Sequence, residues 1–304
     1  MTHHEWQDLK TRFENHLSAE KNLAPLTIRN YSTDLRPLTE FMEARSINRL
    51  HDLDRNMLRA YLAWLVDTGY AKSSIVRKLS VLRTFISWLL REGVIEKDPL
   101  PTRRTMKRES RLPRFLSELE VEQLLEAPDT SSELGIRDRA ILEILYAAGI
   151  RVSEAHNLNV PDVNLQTREM RVRGKGSKER AVLVGATGRQ WLTRYLLDVR
   201  PKLSRSMNGV ALFLNSKGDR LTQRSIQRMV RKYASKAGLR TDVHTHTLRH
   251  SFATHLLDGG AELRVVQELL GHASPAVTQV YTHVTRNKAR EVYLSSHPRA
   301  SKGS

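Results

Sequence analysis

The 304-residue sequence contains no cysteine, which excludes disulfide bonds and thiolate metal sites. It has no apolar run near the roughly 20 residues that a membrane-spanning helix needs. Its first six residues, Met1 to Trp6, are polar and lack the apolar core of a signal peptide. These absences favour a cytoplasmic protein without a membrane anchor.

Negative charge is also scarce: 33 Asp and Glu residues stand against 50 Lys and Arg, for a formal net charge of +17. Because like charges oppose compaction, so large a surplus usually serves a polyanionic partner. DNA or RNA is the first candidate partner. An anionic membrane surface is the second, although no lipidation motif or basic juxtamembrane cluster accompanies it. A generally basic, well-solvated surface is the plainer alternative.

Apolar residues at helical spacing predict four helices in the first hundred residues. Glycines follow the third and fourth helices, and serines precede the fourth as candidate N-caps. Pro37, inside the second helix, should kink or shorten it. The apolar stripes span Trp6–Leu17, Thr27–Glu43, Met57–Leu65 and Ile75–Leu89, the glycines are Gly69 and Gly93, and the candidate caps are Ser73 and Ser74.

Basic side chains lie between the apolar ones of the fourth helix, so we predict a four-helix unit with one basic face. The candidates for DNA contact on it are Lys72, Arg77, Lys78 and Arg83. After Asp98–Pro101, residues 102–113 are polar, basic and aperiodic, which indicates an interdomain linker. The linker is either a plain solvated connector or a segment that crosses a DNA backbone. The predicted domains are therefore 1–101 and 114–304.

The second domain mixes helices with a short β region. Ser117–Glu120 has the pattern of a capping box that opens a helix, and a further helix over Arg137–Ala148 ends at Gly149. Glu169–Arg173 and Arg180–Val184 flank a Gly-rich tip and predict a hairpin. Helices resume over 189–199, 222–237, 248–257, 263–270, 275–281 and 288–294, with stops at Gly238, Gly259 and Gly271. The predicted fold class is mainly α with a small antiparallel β-sheet.

Several polar side chains of this domain suit an anionic ligand, although each has an ordinary explanation when taken alone. Arg151 follows a helix stop, and Glu154 could hold its guanidinium for bidentate contact with phosphate. Lys175 lies at the hairpin tip, where flanking glycines let the backbone approach a ligand closely, or where it is simply solvated. His246 and Arg249 are three residues apart, on a helical face that suits an anion.

Three further residues are ambiguous when taken singly. His246 and His250 have a spacing that can bind metal. No acid of the usual kind lies between them, and Arg249 would place a cation beside the ion, so we predict no metal site. His272 follows a helix-stop glycine, where histidines usually cap backbone groups. Tyr281 ends a short predicted helix, where a tyrosine is more often a core or surface residue than a nucleophile.

Together, two arginines, one lysine, two histidines and one phenol form an inventory for metal-free phosphoryl transfer. Two guanidiniums clamp the non-bridging oxygens and stabilise the charge that develops on them. A phenol, with a pKa of about 10, needs an acceptor or a positive field to attack at neutral pH. A lysine can protonate the leaving 5′ oxygen. We predict no metal.

At these residues the sequence resembles the tyrosine recombinases, and within them the Xer group. The resemblance rests on residues 149–154, 174–180, 246–256, 269–272 and 280–283, which follow one another in the family's order. The N-terminal helices, with Thr27–Tyr31, are similar to the family's SAM-like, four-helix core-binding domain. Ser296–Ala300 is similar to a Xer tail. As a set, these motifs are highly specific.

The resemblance implies a role for each candidate residue. Arg151 and Arg249 match the phosphate-clamping arginines, with Glu154 in support, and Lys175 matches the general acid for the leaving 5′ hydroxyl. His246 matches the residue that assists proton transfer from the nucleophile, and His272 matches a hydrogen-bond donor to the scissile phosphate. Tyr281 matches the nucleophile. The implied reaction passes through a 3′-phosphotyrosyl intermediate and a Holliday junction, and it needs no metal and no nucleotide cofactor.

The resemblance also implies partners and a role. Two domains form a C-shaped clamp on double-stranded DNA, and four protomers act on two sites. A second Xer-like recombinase and an FtsK-like translocase are candidate partners. Chromosome dimer resolution, in the cytoplasm at the nucleoid, is the preferred role. A mobile-element integrase, a type IB-like DNA topoisomerase and an architectural DNA-binding protein with a vestigial active site are the alternatives.

Beyond Tyr281, residues 287–294 predict a short helix that cannot stabilise itself in water and must dock on something. The resemblance implies docking on a neighbouring protomer. Docking on its own domain is the alternative.

Overall fold

A computed structural model describes residues 3–47, 54–100, 115–174, 179–205, 209–271 and 283–300. The chain divides into two compact units, residues 1–110 and 111–304, which are taken one at a time below. Within the described ranges, no helix is long and apolar enough to cross a membrane. The predicted linker, the hairpin tip and the helix predicted over 275–281 lie outside these ranges.

The N-terminal unit consists of four helices, α1 His3–Ala19, α2 Pro25–Ala44, α3 Arg55–Asp67 and α4 Lys72–Arg91. Their apolar stripes meet in one core that is rich in aromatic rings. Phe13 lies near its centre, with its ring centroid 5.0 Å from that of Phe85 and 5.2 Å from that of Trp88. The four predicted apolar stripes are confirmed.

Two predictions about helix ends in this unit were wrong. Pro37 does not shorten α2, which continues to Ala44; a kink at Pro37 stays a prediction. Pro37 is itself buried, so packing of this helix face outweighs the missing backbone N–H. Neither Ser73 nor Ser74 caps α4, because the helix begins at Lys72 and both serines lie inside its first turn.

The second unit places nine described helices and one small sheet around a separate core. Its central helix has every residue from Gly135 to Ala147 buried. The helices are α5 Glu118–Glu126, α6 Glu133–Ala147, α7 Val152–Asn157, α8 Ala186–Arg194, α9 Arg200–Leu203, α10 Gln223–Lys236, α11 Thr245–Asp258, α12 Leu263–Leu270 and α13 His283–Ser296.

The sheet is antiparallel, with the order β1 Val163–Asn164, β2 Glu169–Arg173 and β3 Glu179–Leu183. β2 and β3 pair along their whole length, from Glu169 opposite Leu183 to Arg173 opposite Glu179. Alternate residues of the two long strands enter the core, which is the period expected of a half-buried sheet. The predicted fold class and the pairing of the two long strands are confirmed, whereas the two-residue β1 was not predicted.

Helix boundaries in this unit follow caps that periodicity does not reveal. α5 opens with the predicted capping box at Ser117. α6 begins four residues before Arg137, because the Ser132 side chain accepts a hydrogen bond from the backbone N–H of Gly135. The helix predicted over 189–199 is interrupted by a π-helical turn at Tyr195–Val199. α11 begins at Thr245, three residues before the predicted start.

The tail packs on its own unit. The Tyr293 hydroxyl donates a hydrogen bond of 3.0 Å to the carbonyl oxygen of Ala147, and the N–H of Ala186 donates one of 3.3 Å to the carbonyl oxygen of Ala300. His297 and Ala300 are buried. In this single chain the domain's own core therefore binds the tail, and docking on a neighbouring protomer stays a prediction.

Candidate active site

The candidate phosphate clamp begins where α6 ends. Gly149 has a φ of +55°, a left-handed conformation that favours glycine, and it turns the chain toward α7. Arg151 is the residue just before α7. Its backbone N–H donates to Oε2 of Glu154 at 2.8 Å, and its Nη1 donates to Oε1 at 3.1 Å. Glu154 thus holds one edge of the Arg151 guanidinium, while that side chain stays 36 % exposed.

Glu154 has a second arginine partner that the sequence did not reveal. Arg180, on β3, donates from Nη1 to Oε1 at 2.7 Å and from Nη2 to Oε2 at 3.0 Å. Burial of the Glu154 carboxyl acts to raise its pKa, but the hydrogen bonds and charges of Arg180 and Arg151 outweigh burial and lower the pKa. Glu154 is therefore a carboxylate at neutral pH.

Arg249, on α11, is the buried member of the cluster. Its Nη1 donates to the carbonyl oxygen of Gly149 at 2.5 Å, and its Nη2 donates to that of Leu270 at 2.6 Å. Burial, followed by the nearby charge of Arg151, lowers the pKa of Arg249 to about 10. Arg249 is still a cation at neutral pH, and its bonds fix it against the segment that carries Arg151.

His246 lies one turn before Arg249 on α11, with its side chain exposed. Its ring centroid is 5.9 Å from that of His244 in an edge-to-face arrangement. Where the structure describes side chains, no group of three or more His, Asp or Glu residues could hold a metal ion. His246 is therefore available to a ligand from solvent.

The structure brings three of the candidate residues together with one arginine that was not a candidate. Three other candidates are not among the described residues. Arg151, Glu154, Arg180 and Arg249 form one cluster, which we call the arginine cluster. Lys175, His272 and Tyr281 lie outside the described residues.

Arg180 could have been found from strand alternation. It shares a face of β3 with the buried Val182, two residues on. An arginine on a core-facing position needs a hydrogen-bonded partner of opposite charge. That reasoning predicts a buried ion pair for Arg180, although not the identity of its partner.

The candidates on the basic face of α4 divide into exposed and buried side chains. Lys72, Arg77 and Arg83 are exposed, and Arg77 also contacts Asp34. Lys78 is buried, with its Nζ 3.2 Å from Oδ1 of Asp34 and 4.8 Å from the centroid of the Tyr70 ring. Because its ammonium is enclosed and paired, Lys78 cannot face DNA in this structure, and we remove it from the set of DNA contacts.

Comparison with known proteins follows the same division of the chain. Residues 114–288 match the model of the phage integrase family, and residues 11–93 match the phage integrase N-terminal SAM-like domain. The chain belongs to the phage integrase family. It is a site-specific tyrosine recombinase, an enzyme that exchanges DNA strands.

The recombinase has relatives that match it over nearly the full length of both chains. It is 43 % identical over 295 residues to tyrosine recombinase XerC of Pelotomaculum thermopropionicum, covering 94 % of this chain and 96 % of that one. It is 43 % identical over 286 residues to tyrosine recombinase XerD of Staphylococcus epidermidis, covering 94 % of this chain and 97 % of that one. Sequence identity therefore does not assign it to one of these two kinds.

A solved structure of XerH site-specific recombinase bound to its difH substrate, before cleavage, is also similar. It is 29 % identical, with a TM-score of 0.66, over 93 % of this chain and 83 % of that one. The similarity includes both units of the recombinase.

Proposed function

We propose that this recombinase resolves chromosome dimers by strand exchange at a specific chromosomal DNA site, with Tyr281 as its nucleophile. Similarity to recombinases named XerC and XerD, over at least 94 % of each chain, supports the role. The enzyme would act at the nucleoid, in the cytoplasm.

The arginine cluster is the observation that carries the chemistry. The cluster holds three guanidiniums and one carboxylate: Glu154 pairs with Arg151 and Arg180, whereas Arg249 is held by backbone carbonyl oxygens. Three positive charges against one negative charge leave an excess that an incoming phosphate can neutralise. Groups fixed before the substrate arrives cost no reorganisation during the reaction, so the cluster suits a transition state with charge on the non-bridging oxygens.

In the proposed first step, the Tyr281 hydroxyl oxygen attacks the scissile phosphorus. A 3′-phosphotyrosyl bond forms as the bond to the 5′ oxygen breaks. His246 assists removal of the phenol proton, and Lys175 donates a proton to the leaving 5′ oxygen. Arg151 and Arg249 clamp the non-bridging oxygens, to which His272 donates a further hydrogen bond.

In the second step, a 5′ hydroxyl from the partner duplex attacks the phosphotyrosyl bond and releases Tyr281. The covalent bond conserves the energy of the phosphodiester, so neither ATP nor a ligase is needed. Exchange of one strand pair and then the other passes through a Holliday junction.

The proposed assembly has four protomers on two DNA sites. In each protomer a core-binding domain, residues 1–101, and a catalytic domain, residues 114–304, both bind the duplex and are joined by the linker 102–113. Lys72, Arg77 and Arg83 contact phosphates from the first domain. A second Xer-like recombinase shares the site, and an FtsK-like translocase activates it.

Tyr281→Phe tests the chemistry, because it keeps the ring and removes the attacking oxygen. Nicked genomic fragments, on which cleavage traps the protein covalently, should yield adducts with the wild type and none with Tyr281→Phe, while DNA affinity is unchanged. Tyr31→Phe, at a half-buried tyrosine of the N-terminal unit, is the matched control and should form adducts normally. Adducts with Tyr281→Phe would refute the assignment.

The same trapped DNA tests the role. Dimer resolution predicts that sequencing the attached fragments gives one predominant chromosomal site. Attachment to the ends of mobile elements would instead identify an integrase. Attachment without site preference, with relaxation of supercoils, would identify a topoisomerase.

A further inference from the structure

We infer that Arg180 is a positioning residue for strand cleavage: it pairs with Glu154, so that Glu154 holds Arg151 only at Nη1 and leaves Nε and Nη2 of Arg151 for the scissile phosphate. The inference rests on the proposed function, in which Arg151 clamps that phosphate. Arg180 has no assigned part in that reaction.

The hydrogen bonds of Glu154 carry the inference. Its carboxylate, 1 % exposed, accepts four hydrogen bonds, two from the terminal nitrogens of Arg180 and two from Arg151. Only one of the two from Arg151 comes from its side chain, at Nη1. In the described part of the chain, Nε and Nη2 of Arg151 have no partner. They are the donors that a phosphate would use.

Arg180 is not itself placed to bind the phosphate. Its side chain is only 15 % exposed, and each of its terminal nitrogens donates one hydrogen bond to Glu154. Its Nε is buried without a hydrogen-bond partner among the described residues. An arginine whose terminal donors already hold a buried carboxylate acts through that carboxylate.

Removal of Arg180 would change what Glu154 does to Arg151. A buried carboxylate that loses two charged donors needs replacements, because unpaired buried charge is strongly unfavourable. Arg151 is the other cation that already contacts it, and a second guanidinium N–H would complete a bidentate pair. The N–H donors of Arg151 would then bind Glu154, and they would no longer be available to the scissile phosphate.

The end of α12 keeps Arg180 in this position. Gly271 has a φ of +67°, and a Cβ added there would lie 2.9 Å from both Cδ and Nε of Arg180. The preceding carbonyl, that of Leu270, accepts a hydrogen bond from Arg249. One turn of backbone therefore contacts both arginines, and it is the turn that leads to His272. Arg180 ties β3, α7 and the end of α12 into one unit.

The test measures the rate of covalent adduct formation at saturating protein. Its substrate is a nicked duplex that carries the DNA site recovered by covalent trapping. Arg180→Met keeps the length of the side chain and removes its donors. We expect cleavage to slow by about 10- to 100-fold, by analogy with the loss of outer partners of metal-ligating residues. DNA affinity should be unchanged. Arg173→Met, which breaks the exposed 2.8 Å pair with Glu179 on the same hairpin, is the matched control and should cleave normally.

A second substitution separates positioning from simple loss of structure. Glu154→Gln removes the negative charge that would recapture Arg151. The double variant Arg180→Met/Glu154→Gln should therefore cleave faster than Arg180→Met alone. If Arg180 only stabilises the fold, the double variant will be as slow as the single one or slower.

Each result has one meaning. Wild-type cleavage rates in folded Arg180→Met, or no rescue by Glu154→Gln, overturn the inference and leave the proposed function intact. Adducts with Tyr281→Phe overturn the proposed function instead. If Arg180→Met does not fold, Arg180→Lys replaces it, because an ammonium cannot form the bidentate pair. Arg180→Lys should be slower than the wild type, and Glu154→Gln should again raise its rate; failure of either expectation refutes the inference.

Discussion

Replacing Gly149 by alanine should disturb the arginine cluster from within the core. A Cβ at this position would lie 2.4 Å from Cδ1 and 2.8 Å from Cε1 of the Phe252 ring. That ring is buried, with centroids 5.2 Å from the His297 ring and 6.5 Å from the Tyr293 ring. Phe252 therefore has little room to retreat, and the backbone at Gly149 must move.

The loss of folding stability in Gly149→Ala has two parts. A left-handed backbone conformation costs an L-residue about 1–2 kcal/mol, and overpacking a well-packed core costs about 1–3 kcal/mol. Gly238→Ala isolates the first part, because Gly238 has a φ of +68° and nothing within 4 Å of an added Cβ. We expect Gly149→Ala to lower the free energy of unfolding by about 1–3 kcal/mol more than Gly238→Ala does.

Hydrogen exchange of peptides from α6 and α11, read by mass spectrometry on the full chain, reports the stability of this unit separately from the N-terminal one. The cleavage rate is the second measurement. Because Arg249 donates to the Gly149 carbonyl, Gly149→Ala should slow cleavage and Gly238→Ala should not. Equal loss of protection in the two variants, or normal cleavage by Gly149→Ala, would refute the reasoning.

Three further predictions concern buried polar groups. Asp34→Asn leaves the Lys78 ammonium buried without its carboxylate, so urea denaturation should show a loss of about 3–5 kcal/mol; Glu40→Gln, which breaks an exposed pair with Arg36, should change stability by about 0–1 kcal/mol. Tyr146→Phe removes the hydroxyl that is hydrogen-bonded to Nδ1 of His255 at 2.8 Å, and hydrogen exchange should show a loss of about 1–3 kcal/mol. The lowered pKa of Glu154 means that its stabilising effect is full above the ordinary value of 4.5 and is lost as the pH falls through the folded pKa. Glu154→Gln should therefore flatten the decline of stability below pH 4.5, and unchanged acid dependence would contradict this account.

Apolar periodicity predicted the helices because most of their stability comes from a packed face. It could not predict events that depend on a single hydrogen bond or on packing from elsewhere. Pro37 is tolerated inside α2 because it is buried, and the π-helical turn at Tyr195–Val199 has no signal in the apolar pattern. The Tyr195 hydroxyl is bonded to the backbone at Leu212 and Leu214, contacts that a linear pattern cannot reveal.

In the candidate site too, the local contact could be predicted from the sequence and the long-range contact could not. The contact between Arg151 and Glu154 is local, three residues apart, and could be predicted from helical geometry. The pairing of Arg180 with Glu154 spans 26 residues and required the fold.

The assignment of Lys78 to the basic face could have been avoided, because the sequence already indicated that this side chain is buried. Lys78 is three residues after Ile75 and four before Leu82, so it shares the helical face of the buried residues. Spacing alone indicated a buried lysine, and a buried lysine needs a partner such as Asp34.

The bonds of Arg249 have a consequence for the charge that the site presents. Leu270 is the last residue of α12, and Gly149 follows the C-cap of α6, so both carbonyls lie at the C-terminal ends of helices. Such ends carry the negative partial charge of the helix macrodipole, which stabilises a cation. A carboxylate partner would have cancelled the charge of Arg249. Two helix ends hold the guanidinium and leave its full positive charge for the phosphate.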